Sequence, residues 1–153
     1  MQLRWPPIIA AALVLTAAAP ARAELAFGLF LGEPTGLDLE IGLDHRSALD
    51  IVIGETSFRD GRSGYGHLTY LLTPIVARGS SVDVPIRLGI GAALYGPSGD
   101  LGLAARAPFE LGLRFRSAPL ELYGEIALAV EVIGPGADPV LDVQGGVGLR
   151  VLL

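Results

Sequence analysis

The stretch Leu120-Glu121-Leu122-Tyr123-Gly124-Glu125-Ile126-Ala127-Leu128-Ala129-Val130-Glu131-Val132 decides the fold. Leu120, Leu122, Ile126, Leu128, Val130 and Val132 share one parity, while Glu121, Tyr123, Glu125, Ala127, Ala129 and Glu131 share the other. Side chains of an extended chain point alternately to two faces, so a period of two predicts a β-strand with one apolar and one polar face.

The same rule extends outward in both directions. Before this stretch, Leu103, Ala105, Ala107, Phe109, Leu111, Leu113 and Phe115 alternate with Arg106, Pro108, Glu110, Gly112, Arg114 and Arg116. After it, Leu141, Val143, Val147, Leu149, Val151 and Leu153 alternate with Asp142, Gln144, Gly146, Gly148 and Arg150. Five more segments complete the set: Leu25 to Gly32, Gly36 to Leu43, Leu49 to Gly54, His67 to Leu72 and Val84 to Tyr95. Signals of Gly, Pro, Asp or Ser separate them. No charge falls on the apolar face of any segment, so a one-residue slip would exchange two very different environments and the register is well specified. Eight strands in so short a chain predict an all-β, eight-stranded antiparallel up-and-down barrel.

Composition narrows the function. The 153 residues carry 11 basic side chains, all Arg, against 16 acidic ones, with 21 Gly, no Cys and 51% hydrophobic residues. The lack of Cys excludes a disulfide scaffold, a thiol enzyme and a Cys-based zinc site. A net charge of −5 without a basic run argues against nucleic acid as a partner. At the N-terminus, Arg4, the apolar run Ile8 to Ala19 and Ala21-Arg22-Ala23 have the form of a Sec-type signal peptide, residues 1–23, cleaved before Glu24. Residues 24–153 would then be the barrel domain.

Alternation alone leaves two opposite proteins open. A soluble barrel turns its apolar face inward, whereas an outer-membrane barrel turns it toward lipid and its polar face inward. Three features favour the transmembrane barrel. The polar face is rich in glycine, which has low strand propensity when exposed but leaves room for larger neighbours in a narrow lumen. A solvated face would be expected to carry Lys, which is absent. The export signal agrees.

These segments resemble the small eight-stranded outer-membrane barrels of Gram-negative bacteria, the OmpA/OmpX-like architecture. The stretch Gly32-Glu33-Pro34-Thr35-Gly36, followed by Leu37-Asp38-Leu39-Glu40 and Ser47-Ala48-Leu49-Asp50, is similar to a set of small, largely uncharacterised barrels of this kind. In that class the last strand carries a signal for the barrel-assembly machinery, and Gly148, Val151 and Leu153 occupy its positions, with aliphatic residues in the aromatic slots. The resemblance implies periplasmic termini, an outer-membrane location, contact with outer-membrane lipids and lipopolysaccharide, and a monomer. Outward loops would then be Gly32 to Gly36, Glu55 to Gly64, Gly96 to Gly102 and Gly134 to Pro139. Periplasmic turns would be Asp44 to Ser47, Thr73 to Val82 and Arg116 to Pro119. Phe27, Tyr70 and Phe115 would fall near the periplasmic ends of their strands, and Pro108 calls for a bulge or the end of pairing.

An eight-stranded barrel is just wide enough inside for side chains to fill. Asp38, Glu40, Asp50, His67, Arg87, Arg106, Glu110, Arg114, Glu121, Glu125, Asp142 and Arg150 are the candidates for an interior ion-pair network, with Glu131 on the same parity. Arg suits that role because its planar fork bridges two carboxylates. A plugged interior follows, with no cofactor and no metal. His45-Arg46-Ser47 has the His-x-Ser spacing that lipid-modifying barrel enzymes use, but it lies in a predicted periplasmic turn. His67 with Asp50 and Glu110 could form an acid/base cluster, and Glu33, Asp60, Asp100 and Asp138 could gather acids at the loop end. Structural networks and solvated loops are the simpler readings of both. The expected role is therefore a non-enzymatic, structural or interactive one in the cell envelope. The alternatives are a soluble exported barrel that binds an apolar ligand and a lipid-modifying enzyme.

Overall fold

The computed structural model describes residues 24–58, 62–96, 100–134 and 140–153. The signal-peptide expectation for residues 1–23, together with Asp60 and Asp138, lies outside the described residues. Eight strands form in chain order: β1 Leu25–Glu33, β2 Thr35–Gly42, β3 Ser47–Thr56, β4 Ser63–Arg78, β5 Val82–Gly96, β6 Gly102–Phe115, β7 Leu120–Ile133 and β8 Leu141–Leu152. Each pairs antiparallel with the next, and β8 closes on β1, with Gly28 opposite Arg150 and Phe27 opposite Val151. The described residues thus form an all-β, closed up-and-down barrel without a helix.

Closure shows which parity faces the interior. The apolar parity faces out: Leu29 is 52% exposed, Ile53 65% and Ile126 62%. The charged parity faces in, where Asp38, Glu110, Glu121 and Arg150 have no exposed surface. The inward glycines lie against bulky inward neighbours. Gly148 sits directly opposite Tyr123, and Gly102 directly opposite Tyr95. A methyl group added to either glycine would run into the facing ring.

The strands extend further than period two alone marks. The turn expected at Thr73 to Val82 shrinks to residues 79–81, where the Gly79 N–H donates to the Val82 carbonyl at 2.9 Å. The cause is Pro74. Between the pairs Leu72–Leu88 and Ile75–Ile86, Thr73 and Pro74 together oppose Arg87, which is a β-bulge. The extra residue switches the parity, so Val76 rather than Ile75 shares the inward side with Pro85, and the alternation reads as broken. Pro74 has no N–H to offer, and the β3 ladder ends just before it, at Ser47–Leu72.

Pro108 meets the expectation on one side only. No bulge forms there: Pro108 pairs with Ala127 of β7. On its β5 side the ladder lapses between Leu88–Phe109 and Gly91–Arg106 and resumes in the same register. Its ring turns inward over Gly89, where a Cβ would stand 2.9 Å from Pro108 Cγ. The loop expected at Gly32 to Gly36 is also shorter, because β1 reaches Glu33 and β2 starts at Thr35. The Thr35 hydroxyl clasps this corner by accepting from Gly32 N–H at 3.2 Å and donating to the Gly32 carbonyl at 2.8 Å. Gly96 ends β5 with φ of 124°, a conformation that side chains with a Cβ rarely adopt.

Candidate functional site: the filled interior

The interior has three levels. At the end that carries Glu24 and the last strand's terminus, a vestibule of about 220 Å³ opens to solvent, with Glu24, Glu40, Arg87 and Arg114 among its lining residues. Arg114, half-buried, donates from Nε to Glu121 at 2.8 Å and from Nη1 to both oxygens of Glu24 at 3.1 Å. Arg87 donates to Glu121 through Nη1 at 2.7 Å and Nη2 at 2.9 Å, and it also bonds Glu110.

Arg150 of β8 occupies the middle. Its Nε donates to Asp38 at 2.7 Å, its Nη1 to Glu40 at 2.8 Å, and its Nη2 to Asp50 at 2.9 Å. Glu110 accepts from both terminal nitrogens at 3.2 and 3.3 Å, and Glu121 lies 3.5 Å from Nη1. One guanidinium therefore joins carboxylates from β2, β3, β6 and β7. The Tyr123 ring lies beneath it, 3.8 Å from centroid to Cζ, and the Tyr123 hydroxyl donates to Asp38. Phe30 stacks on the same ring at 5.9 Å, and Val52 completes this small apolar patch.

Nearer the loops, Arg106 donates to Glu125 at 2.6 Å and to the Thr69 hydroxyl at 2.9 Å. His67 Nε2 lies 2.9 Å from Asp50 and 3.0 Å from Arg106 Nη1. One nitrogen cannot donate to the carboxylate and accept from the guanidinium at once. The Nε2–H form satisfies Asp50, while Arg106 Nη1 keeps Thr69 as its acceptor. The Tyr65 hydroxyl stands 3.2 Å from His67 Nδ1 and donates to Gln144 at 3.3 Å. Above this level Phe58, Tyr65 and Tyr95 close the mouth with Ala93, Ala104 and Ala129, and the Tyr95 hydroxyl bonds Glu131.

Of the residues singled out by parity, eleven meet inside: Asp38, Glu40, Asp50, His67, Arg87, Arg106, Glu110, Arg114, Glu121, Glu125 and Arg150. Asp142 does not join them. It is half-buried opposite Ala129, and no ion pair connects it to the network among the described residues. Gly148 lies inside under Tyr123, whereas Val151 points outward and Leu153 lies past β8 with its N–H on the Leu25 carbonyl. His45 is exposed in the β2–β3 turn, and the Ser47 hydroxyl is engaged by Asp44 at 2.7 Å. Glu33 accepts from Ser57 N–H at 2.6 Å and also bonds the hydroxyls of Thr56 and Ser57.

Parity could have added Tyr65, Thr69, Tyr95, Tyr123 and Gln144, which share the inward face and supply hydroxyls and an amide. Phe58 carried no such signal, because it follows β3 in a loop.

The chemistry open to this arrangement is limited. Six buried carboxylates, Asp38, Glu40, Asp50, Glu110, Glu121 and Glu125, meet three buried arginines, and the guanidiniums hold the positions a cation would take. Glu40, Glu110 and Glu121 offer oxygens within 4.8 Å of one another, the spacing of a metal site. Arg87 and Arg150 already bridge them, so the set is complete without an ion. No family model, no curated protein and no solved structure matches the chain.

Proposed function

We propose that this chain is an outer-membrane β-barrel, exported by its N-terminal segment, with a filled polar interior and a non-enzymatic role in the cell envelope. The observation that carries this reading is the inverted polarity of a closed barrel. Leu, Ile and Val cover the outside of all eight strands, while carboxylates and arginines fill the inside. Such an exterior is unfavourable in water, where contiguous apolar patches of more than a few hundred Å² drive association. In a bilayer it is the required surface, and a closed sheet leaves no backbone edge facing lipid.

The filled lumen supports a structural or interactive role as a monomer over a diffusion pore. Buried charges persist when each is paired and hydrogen-bonded, and here they cross-link strands that are not neighbours in the wall. The same charges weigh against a soluble barrel that holds an apolar ligand in its centre. The exposed His45 and the engaged Ser47 hydroxyl weigh against lipid-modifying catalysis in the turn.

Cell fractionation with gel analysis tests the reading. The mature chain should sediment with outer membranes, require detergent for release, and migrate differently in sodium dodecyl sulfate before and after boiling. Recovery in the soluble periplasmic fraction without detergent would refute it.

A further inference from the structure

The loop-end mouth is unlike the rest of the lumen. Three of its inward wall residues are alanines, Ala93, Ala104 and Ala129, all at most 1% exposed. Short wall side chains leave a space, and the wall does not fill it. Phe58 does, delivered from the segment that follows β3 and only 3% exposed. Its ring lies 4.4 Å from the Tyr95 ring at an interplanar angle of 58°, within the range of tilted aromatic pairs.

Phe58 is held in place from one side. Glu33, at the end of β1, accepts from the backbone and hydroxyl of Ser57 and from the hydroxyl of Thr56, and Thr56 Oγ1 in turn accepts the Phe58 N–H at 3.2 Å. A single carboxylate thus latches the three residues that seat the ring. The cup itself rests on strands β4, β5, β6 and β7, whose ladders do not include Phe58.

We propose that this mouth is a binding cup for one small neutral aromatic molecule, occupied in the resting barrel by the chain's own Phe58. The ligand class follows from the walls: two tyrosine rings and three alanine methyl groups recognise a flat apolar ring. Apolar cavities of this kind take up benzene-sized molecules when they are vacant. Ligand entry requires Phe58 to leave, so apparent affinity falls by the fraction of time the cup is open.

Fluorine NMR of the full chain, labelled with 3-fluorotyrosine and titrated with phenol, reads the cup directly. The four tyrosines are Tyr65, Tyr70, Tyr95 and Tyr123. Tyr65 and Tyr95 line the cup, Tyr70 faces outward and Tyr123 lies deep in the network, so the last two are internal controls. Phenol should shift Tyr65 and Tyr95 saturably in the native chain and leave Tyr123 in place. Phe58→Ala should saturate at roughly a tenth of the phenol or less, and Glu33→Ala, which keeps Phe58 but removes its latch, should fall between. A native chain that does not respond up to the solubility limit of phenol overturns the proposal. So does a Phe58→Ala barrel, folded by its Tyr123 resonance, that saturates no earlier than the native chain. If Phe58→Ala does not fold, Glu33→Ala decides the matter: tighter binding than native supports the cup, and equal binding overturns it. The proposal needs the barrel but not the membrane, so it stands or falls separately from the proposed location.

Discussion

Replacing Arg150 with Met tests whether one guanidinium holds the interior together. The side chain has no exposed surface, and its nitrogens bond Asp38, Glu40, Asp50 and Glu110. Met fills much of the same volume, so the perturbation is chiefly loss of charge, with four carboxylates left without this donor. Removing one partner of a buried ion pair costs about 3–5 kcal/mol, because the remaining charge stays desolvated. Loss of the contact with the Tyr123 ring acts in the same direction. At about 1.4 kcal/mol per tenfold change, the folded-to-unfolded ratio should drop by roughly two to four powers of ten. Urea titration of the barrel in lipid vesicles, followed by circular dichroism and by the gel shift on boiling, reads this as a lower midpoint at unchanged slope. Adding Asp50→Asn, which removes one stranded charge, should restore part of the loss, and the non-additivity measures their coupling. Asp142→Asn is the control: the residue joins no ion pair among the described residues, and its midpoint should stay within about 0.5 kcal/mol of native. An Arg150→Met barrel as stable as native would refute the reasoning.

Other outcomes follow from the same structure. Gly148→Ala should destabilise by about 1–3 kcal/mol, because the new methyl overlaps the Tyr123 ring, whereas Gly124→Ala should be close to neutral, since its Cβ would find no atom nearer than 4.0 Å; both are read by urea midpoint. In planar bilayers the native barrel should show no steady conductance, because Arg87, Arg106, Arg150 and their carboxylates fill the section; large stable currents would contradict a filled lumen. In the β2–β3 turn, the Ser47 hydroxyl and then the Arg46 N–H hold the Asp44 carboxyl below its ordinary value. A depressed folded value means that this support is complete above the ordinary carboxyl range near pH ~4 and is lost as pH falls through the lowered value. The Arg46 amide resonance should therefore move at a pH below the ordinary carboxyl range, and Asp44→Ala should abolish that step.

Much of the architecture is legible in the order of residues. Sterics of an extended chain place Glu121 and Glu125 on one face and Leu122 and Ile126 on the other, whatever the surroundings. That fixed the number of strands, their antiparallel succession and which side chains travel together. It failed where a local event switches the parity, as at Pro74, whose bulge hides the last turn of β4 behind an apparent loop. It also failed for Asp142, which has the inward parity but lies opposite Ala129 and forms no ion pair among the described residues.

Alternation does not say which face looks outward, being symmetric between the two solutions; the glycine-rich, Lys-free polar face pointed inward, and the closed barrel places it there. Closure also selects partners that no sequence distance indicates: Arg150 meets Asp38 across 112 positions and Glu40 across 110. These contacts arise because a narrow lumen brings opposite walls within reach of one side chain. Phe58 is the extreme case. Nothing in its own stretch marks it for burial, and it is buried because Ala93, Ala104 and Ala129, from three other strands, together leave a space of the right size.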